Sequence, residues 1–234
     1  MLYDMLSEGD DGAIYFRLYL EKVLKKLPKN ARILDCSCGT GNHAIWLARQ
    51  GFKVFASDIS EGMIACAAKK AEKEGLDINF FRSSWEEIPS QTNTSFDLVI
   101  CPGNSLSHIT DLSMLGQSVK AFRKIIKAGG RFFFDLRNWE KTFEENSLRA
   151  QKFQVKSKKE IIDVRYSYKI NGWNVASTMF VDVCPAGTLE KKRYAFDFIP
   201  IGYLQLRQAF LKDGFEHVER GFYPDGDYYF AIAK

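Results

Sequence analysis

The chain has 234 residues, 46% of them hydrophobic, and a formal net charge of +4. This length allows one sizeable domain with a sheet core, and the small net charge does not by itself indicate a nucleic-acid partner. No run of residues approaches the ~18 apolar residues of a membrane span, and the acidic N-terminus is unlike a signal peptide, so we expect a cytoplasmic protein without a membrane partner.

The cysteine and histidine content argues against a metal site. The five cysteines and three histidines show no ligand spacing, and the chain has no C-x-x-C motif. We therefore expect no bound metal and reduced, mostly buried thiols. A basic run is interpreted as solvated surface; it contains Arg149, Lys152, Lys156, Lys158 and Lys159.

Hydrophobic periodicity predicts helices and strands in alternation. A helix is predicted over 14–27 and ends at Pro28. The predicted strands are 32–36, 53–57, 78–82, 96–101 and 131–136. The helices between them are predicted at 42–50, 60–74, 85–88 and 112–127, and Ala128-Gly129-Gly130 is predicted to turn into the fifth strand. Such alternation indicates a parallel sheet with right-handed crossovers.

The pattern changes to period two between residues 150 and 198, where Asn171-Gly172 separates two alternating runs as a hairpin turn. We predict an antiparallel β insertion there, then a helix near 202–212 and closing strands at 215–222 and 227–233. The expected fold is α/β: a doubly wound, Rossmann-like sheet of seven mostly parallel strands with helices on both faces. All 234 residues would form a single domain, with an N-terminal helical segment over 1–30 and the insertion at 150–198.

The most informative motif is Ile33-Leu34-Asp35-Cys36-Ser37-Cys38-Gly39-Thr40-Gly41-Asn42, a strand that runs into a glycine-rich turn. Gly39 and Gly41 allow positive φ and close approach of a ligand. Asp58 ends the second strand, 19 residues after Gly39, which suits the two hydroxyls of a ribose. The motif therefore predicts a nucleotide cofactor.

Two cofactors compete for this turn. Residues 39–44 formally match the dinucleotide fingerprint, in which a pyrophosphate rests on a helix N-terminus. Asp35, however, stands four residues before the first glycine, where its carboxylate would repel a pyrophosphate. The same carboxylate can reach the ammonium of a methionine moiety. The residues therefore favour S-adenosylmethionine over NAD.

Together with Phe96-Asp97-Leu98-Val99-Ile100 and the ending Tyr228–Lys234, these motifs resemble class I S-adenosylmethionine-dependent methyltransferases across nearly the whole chain. The resemblance implies that the protein is an enzyme and that Gly39 and Gly41 lie against the methionine half of the cofactor. Ser84 and Trp85 correspond to adenine contacts, and a tyrosine of the N-terminal segment, Tyr3 or Tyr15, would help to close the site. The full set of implied cofactor residues is Tyr3, Asp35, Gly39, Gly41, Asp58, Ile59, Met63, Ser84, Trp85 and Pro102.

Two further segments resemble glycine and glycine/sarcosine N-methyltransferases. Cys101–His108 looks like their Gly-Asn-Ser…His segment, and Asp135–Glu140 looks like their Arg-Asn-aromatic-acid segment. This resemblance implies that Asn104, Arg137 and Asn138 bind the carboxylate of an amino-acid substrate. It also makes Asn104, Arg137 and His108 the candidate catalytic residues. A guanidinium suits this task because it donates two parallel hydrogen bonds to one carboxylate.

Alternatives remain open at this point. Arg137 could instead form an ion pair with Glu140, and Trp85 could be a core anchor. Tyrosines that some family members place in the insertion correspond to Val155 and Phe180 here, which leaves the exact amino acid open. The protein could therefore methylate another small molecule, or bind S-adenosylmethionine without catalysis.

Overall fold

The computed structural model describes residues 11–148, 151–156, 160–171, 174–185 and 190–234. Within them the strands are β1 (Arg32–Asp35), β2 (Lys53–Asp58), β3 (Ile78–Arg82), β4 (Phe96–Cys101), β5 (Ile126–Arg137), β6 (Gln151–Lys156), β7 (Glu160–Asn171), β8 (Asn174–Pro185), β9 (Glu190–Phe198), β10 (Val218–Phe222) and β11 (Tyr228–Ala233). The α-helices are α1 (Asp11–Leu24), α2 (Asn42–Arg49), α3 (Glu61–Lys73), α4 (Ile88–Gln91), α5 (Leu112–Ile125), α6 (Trp139–Glu144) and α7 (Tyr203–Lys212), and a 3₁₀ turn spans Ser105–His108. None of the helices in these ranges is long and apolar enough to cross a membrane.

The larger sheet confirms the predicted doubly wound architecture. Its seven strands have the order β10-β11-β5-β4-β1-β2-β3, with β10 and β11 antiparallel to their neighbours and the others parallel. The strand order reverses between β1 and β4. In such sheets ligands bind beyond the carboxyl ends of the strands at this switch point, here next to Asp35 and Cys101.

The centre of the core is a run of three phenylalanines in β5. Phe132 and Phe134 face the layer that holds α5 and α7, whereas Phe133 faces the opposite layer and packs against Phe16 of α1. Each of the three is at most 1% exposed. A strand covered on both faces needs such a continuous apolar run. The carboxyl end of β5 is therefore a rigid platform.

The prediction of a turn before the fifth strand is wrong. Residues 128–130 lie inside β5, which begins at Ile126 instead of at 131. Gly129 has a φ of 75°, and the register against β4 shifts between Phe96 and Leu98. The glycines thus form an irregularity within the strand, so the paired strand begins five residues earlier than the sequence pattern indicates.

The insertion forms a second, antiparallel sheet in the order β6-β7-β8-β9, as the period-two pattern predicts. Gly172 of the expected hairpin turn lies outside the described residues, and so does Tyr3. One face of this sheet meets the 3₁₀ turn after β4, since the ring of His108 lies 4.7 Å from that of Phe198 in β9.

Phe180 lies on the other face of this second sheet. Cross-strand pairing aligns Arg165, Phe180 and Arg193, and both guanidinium groups lie 5.4–5.5 Å from the ring of Phe180. Phe198 belongs to the opposite face, because side chains alternate along a strand. Phe180 therefore does not take the place of a tyrosine that faces the cofactor or the substrate.

The turn from β1 into α2 depends on close backbone approach. Gly41 has a φ of 85° and is the residue that precedes the helix, and a Cβ built on it would lie 2.9 Å from Cβ of Ala67 in α3. A side chain at this position would thus be strained in conformation and would collide with the neighbouring helix.

We expect Gly41→Ala to destabilise the protein by about 2–5 kcal/mol, because the left-handed φ costs about 1–2 kcal/mol and overpacking against Ala67 adds about 1–3 kcal/mol. Gly51→Ala is the matched control, since Gly51 has a φ of 87° and no atom within 4 Å of the built Cβ. Urea unfolding of both variants measures the difference. Equal losses would contradict the close packing of the turn.

Candidate active site

The glycine turn is held to the end of β2 by Asp58. Oδ2 of Asp58 accepts the backbone N–H of Gly39 at 2.9 Å, and Oδ1 accepts that of Ser60 at 2.9 Å. Each oxygen keeps a second lone pair that can accept a hydroxyl. Ile59, which follows directly, is 65% exposed and offers an apolar surface beside this carboxylate. The pair suits the ribose and the base of a nucleoside.

Asp35 is a buried carboxylate with one unpaired oxygen. Its side chain is fully buried at the end of β1, Oδ1 accepts the N–H of Ser37 at 3.3 Å, and Oδ2 has no partner among the described residues. Burial raises the pKa of Asp35 to about 8; the hydrogen bond from Ser37 lowers it and the negative charge of Asp58 raises it further. A cation placed against Oδ2 would remove this penalty.

Positive charge lies on the other side of the turn. Arg17 of α1 donates from Nη2 to the carbonyl of Asn42 at 3.1 Å, while its Nε is buried and has no partner in the described chain. The ring of His43 packs against Phe16, and burial lowers the pKa of His43 to about 3, with the charge of Arg17 as a further cause. An anionic group at the start of α2 would therefore meet a guanidinium and a neutral imidazole.

These features fit S-adenosylmethionine. The unpaired oxygen of Asp35 suits the ammonium of the methionine moiety, and the side of the turn that carries Arg17 suits its carboxylate. Gly41 leaves no room for a side chain. Sequence analysis missed Arg17; the signal was a charged residue directly after Phe16, on the buried side of an amphipathic helix.

Ser84 and Trp85 are engaged in local structure. The indole N–H of Trp85 donates to the carbonyl of Cys36 at 2.9 Å and to Oγ of Ser37 at 3.2 Å, and its ring packs edge-on against Phe122. Oγ of Ser84 donates to Glu87 at 3.0 Å. The indole thus fixes the loop after β1, as the core-anchor alternative expects, and stacking of its half-buried ring on a purine stays a prediction.

The remaining two predicted cofactor residues flank the strand ends. Met63 lies in the first turn of α3, and its N–H donates to Oγ of the capping Ser60 at 3.4 Å. Pro102 is buried directly after β4, and its carbonyl accepts Ser105 Oγ at 2.6 Å. Both therefore border the switch point, where a cofactor contact stays a prediction.

Asn104 connects the ends of β4 and β5. It adopts a left-handed conformation with a φ of 59°, and its Oδ1 accepts both Oγ of Ser107 and the backbone N–H of Arg137 at 2.9 Å. Its own N–H donates to Oδ1 of Asp135 at 3.2 Å. The oxygen of the Asn104 amide thus fixes the backbone from which Arg137 projects.

Arg137 is half-buried and forms no ion pair within the described chain. Its Nη2 donates to the hydroxyl of Tyr228 at 2.8 Å, and its guanidinium lies 5.0 Å from the ring of Tyr228 and 5.8 Å from that of Trp139. The alternative pairing with Glu140 is wrong, because Glu140 pairs with Arg220 at 3.4 Å. The guanidinium is therefore held in place by aromatic rings without a carboxylate to neutralise it.

A tyrosine of the insertion lies close to this guanidinium. Burial raises the pKa of Tyr168 in β7, and the charge of Arg137 acts in the opposite direction. The second sheet therefore contributes a phenol near Arg137. Sequence analysis gave neither tyrosine a role in the site: Tyr228 entered it only as the start of the closing strand, and Tyr168 only as part of an alternating run.

Asn138 has a structural role that the substrate prediction did not foresee. Its Oδ1 accepts the N–H of Lys141 as the cap of α6, and its Nδ2 donates to the carbonyl of Gly226 at 3.0 Å. Both ends of the amide are thus engaged within the protein. The amide nitrogen has a second N–H, so carboxylate binding by Asn138 stays a prediction.

His108 ends the 3₁₀ turn and packs against aromatic side chains of the insertion. Its ring lies 4.7 Å from that of Phe198 and 6.3 Å from that of Phe196. Desolvation lowers the pKa of His108, opposed by a hydrogen bond with the backbone of Asp197. Burial against these rings thus favours the neutral form of the imidazole, and a catalytic role for His108 stays a prediction.

Comparisons with known proteins bear on the domain and on the fold. Residues 33–130 match the family model described as a methyltransferase domain. The chain is 35% identical over 120 residues to a methyltransferase of Geobacillus sp. (strain WCH70), covering 50% of this chain and 48% of that protein. It is 24% identical over 218 residues to the glycine/sarcosine N-methyltransferase of Aphanothece halophytica, covering 87% and 76%. The chain thus spans about half the length of the first relative and three quarters of the second.

Solved structures show the same fold. An S-adenosylmethionine-dependent methyltransferase from Clostridium acetobutylicum superposes with a TM-score of 0.82 at 20% identity, over 100% of this chain and 96% of that one. A sugar N-methyltransferase from Streptoalloteichus sp. superposes with a TM-score of 0.79 at 18% identity, over 98% and 92%. The first of these two proteins is S-adenosylmethionine-dependent, and the residues of the turn described above fit the same cofactor.

We expect Asp35→Asn to weaken S-adenosylmethionine binding while it stabilises the free protein at pH 7. The wild-type carboxyl, with a pKa of about 8, must lose its proton to bind an ammonium, so affinity should rise about tenfold between pH 6 and pH 7. The raised pKa also means that folding loses stability as pH rises from about 4 towards 8, and the neutral amide avoids this loss. Calorimetry in buffers of different ionisation enthalpy should detect the released proton.

The matched control is Asp97→Asn, because Asp97 pairs with Lys127 at 2.8 Å near the amino end of β4, away from the cofactor turn. This variant should lose stability and keep both the affinity for S-adenosylmethionine and its pH dependence. An Asp35→Asn affinity that equals the wild type would contradict the assignment of Asp35 to the ammonium.

Proposed function

We propose that this chain, which has a methyltransferase domain over residues 33–130 and the fold of an S-adenosylmethionine-dependent methyltransferase, methylates the amine of a small amino acid such as glycine or sarcosine. The observation that carries the proposal is Arg137, a half-buried guanidinium at the end of a central strand without a carboxylate partner in the described chain. The similarity of the chain to the glycine/sarcosine N-methyltransferase of Aphanothece halophytica supports the same substrate class.

The acceptor's carboxylate would bind to Arg137. Tyr228 and Trp139 restrict the guanidinium through their rings, so its planar face and its remaining donors keep one orientation. Charge-assisted, bidentate hydrogen bonds fix the direction of the bound group as well as its affinity. Anchoring the carboxylate at Arg137 would therefore aim the amine at the switch point beside β1 and β4.

The protein's chemical task is orientation. S-adenosylmethionine supplies an already activated methyl group, so no strong acid or base is needed. The residues at the strand ends have to hold the amine in line with that group, and such positioning can lower the barrier by up to ~7–11 kcal/mol. Asn104 contributes by fixing the backbone of Arg137.

The test is a mass-spectrometric methylation assay with glycine, sarcosine, dimethylglycine, larger amino acids and amino sugars. We expect turnover of an amino acid, and we expect Arg137→Ala to raise its KM at least tenfold, the loss of a charge-assisted pair. Arg131→Ala, six residues before Arg137 in the same strand, is the control and should change KM little. Turnover confined to amino sugars, or none at all with S-adenosylmethionine bound, would reject the amino-acid substrate.

The pH profile tests the role of His108. An amine with a pKa near ~10 must lose its proton before attack, so at saturating S-adenosylmethionine kcat/KM for the acceptor should rise from neutral to mildly alkaline pH without a descending limb. Because the pKa of His108 is lowered, its ring stays neutral over that range. A sharp optimum near pH 6.5 that disappears in His108→Gln would contradict this and show that His108 titrates.

A further inference from the structure

Asp135 is a buried carboxylate with partners on both sides. The residue is 4% exposed in β5, two positions before Arg137. Oδ1 accepts the N–H of Asn104 at 3.2 Å, and Oδ2 accepts the hydroxyl of Tyr223 at 3.1 Å. Tyr223 thus donates to the same carboxylate that orders the turn after β4.

The turn after β4 also fixes the backbone of Arg137. Asn104 holds a left-handed φ of 59°, and its Oδ1 accepts the backbone N–H of Arg137 at 2.9 Å. A shift of the Asp135 carboxylate would therefore move Asn104, and with it the start of the Arg137 side chain. Hydrogen bonds to a buried charge are strong enough to hold such an arrangement.

The ring of Tyr223 is itself fixed by aromatic packing. It lies 5.5 Å from the ring of Tyr15 and stacks at 5.7 Å on that of Tyr19, both in α1. Tyr228, whose hydroxyl accepts from Arg137, stacks on Tyr223 at 6.3 Å. The direction of the Tyr223 hydroxyl is thus set by the N-terminal helix and by the hairpin between β10 and β11.

We propose that Tyr223 is a positioning residue, which acts through Asp135 and Asn104 to hold Arg137 in the orientation that binds the acceptor's carboxylate. This inference rests on the proposed function, because it concerns the acceptor side of the same site. It also gives α1 a defined part in acceptor binding, through the stack of Tyr15 and Tyr19 on Tyr223.

The test is Tyr223→Phe, which removes the hydroxyl and keeps the ring. We expect the KM for the amino acid to rise about tenfold, the loss of one hydrogen bond to a charged group, while kcat stays within about twofold. The Kd of S-adenosylmethionine alone should not change, since the affected groups lie on β4 and β5. Tyr19→Phe is the control, because its hydroxyl donates at 3.3 Å to the carbonyl of Phe222 and not to Asp135.

A double-mutant cycle shows whether the effect passes through Asp135. In Asp135→Asn combined with Tyr223→Phe, the rise in KM should be clearly smaller than the product of the two single rises. Independent, multiplicative effects would overturn the inference. Should Asp135→Asn fail to fold, the contrast between Tyr223→Phe and Tyr19→Phe at matched Tm decides the question alone.

The two proposals fail in different ways. If the wild type methylates an amino acid and Tyr223→Phe has the same KM, the positioning role is rejected and the substrate class stands. If the wild type methylates no amine that carries a carboxylate, the proposed function is rejected, and the positioning inference with it.

Discussion

The unpaired oxygen of Asp35 is the feature on which the cofactor site depends. The carboxylate lies fully buried at the end of β1, with a pKa raised to about 8, and only one of its oxygens is hydrogen-bonded in the described chain. Burying such a group weakens the free protein, and a bound cation compensates for the cost. The glycine turn, Asp58 and Arg17 surround this carboxyl group with groups suited to the rest of a nucleoside that carries an amino acid through sulfur.

The acceptor side of the site depends on a positively charged side chain. Arg137 ends β5 without an ionic partner among the described residues, while Glu140 pairs with Arg220 instead. Both charges stand at the carboxyl ends of central strands, on either side of β4, where the strand order reverses. The sheet thus places a site for a cation and a site for an anion at the same end of its strands, which suits a reaction between a sulfonium-bearing cofactor and an amino acid.

Local motifs predicted most of the sheet and the cofactor turn, because strand periodicity, the two glycines and the spacing to Asp58 are properties of adjacent residues. The errors came from interactions over distance. Glu140 meets an arginine 80 positions away, and Asp135 meets Tyr223 88 positions away; the sequence alone gives no sign of either contact. The sequence comparison assigned Phe180 to the wrong face of its strand, because a shift of one residue in register moves every side chain to the opposite face. Residues 128–130 resembled a turn, yet they lie in the strand as an irregularity.

A crystal structure with S-adenosylhomocysteine and the methylated or unmethylated amino acid would test the account most directly. The account predicts the cofactor's ammonium within hydrogen-bond distance of Oδ2 of Asp35, and the acceptor's carboxylate on the guanidinium of Arg137 with its amine directed towards the sulfur. A complex in which the acceptor's carboxylate lies away from Arg137, or the ammonium away from Asp35, would contradict it.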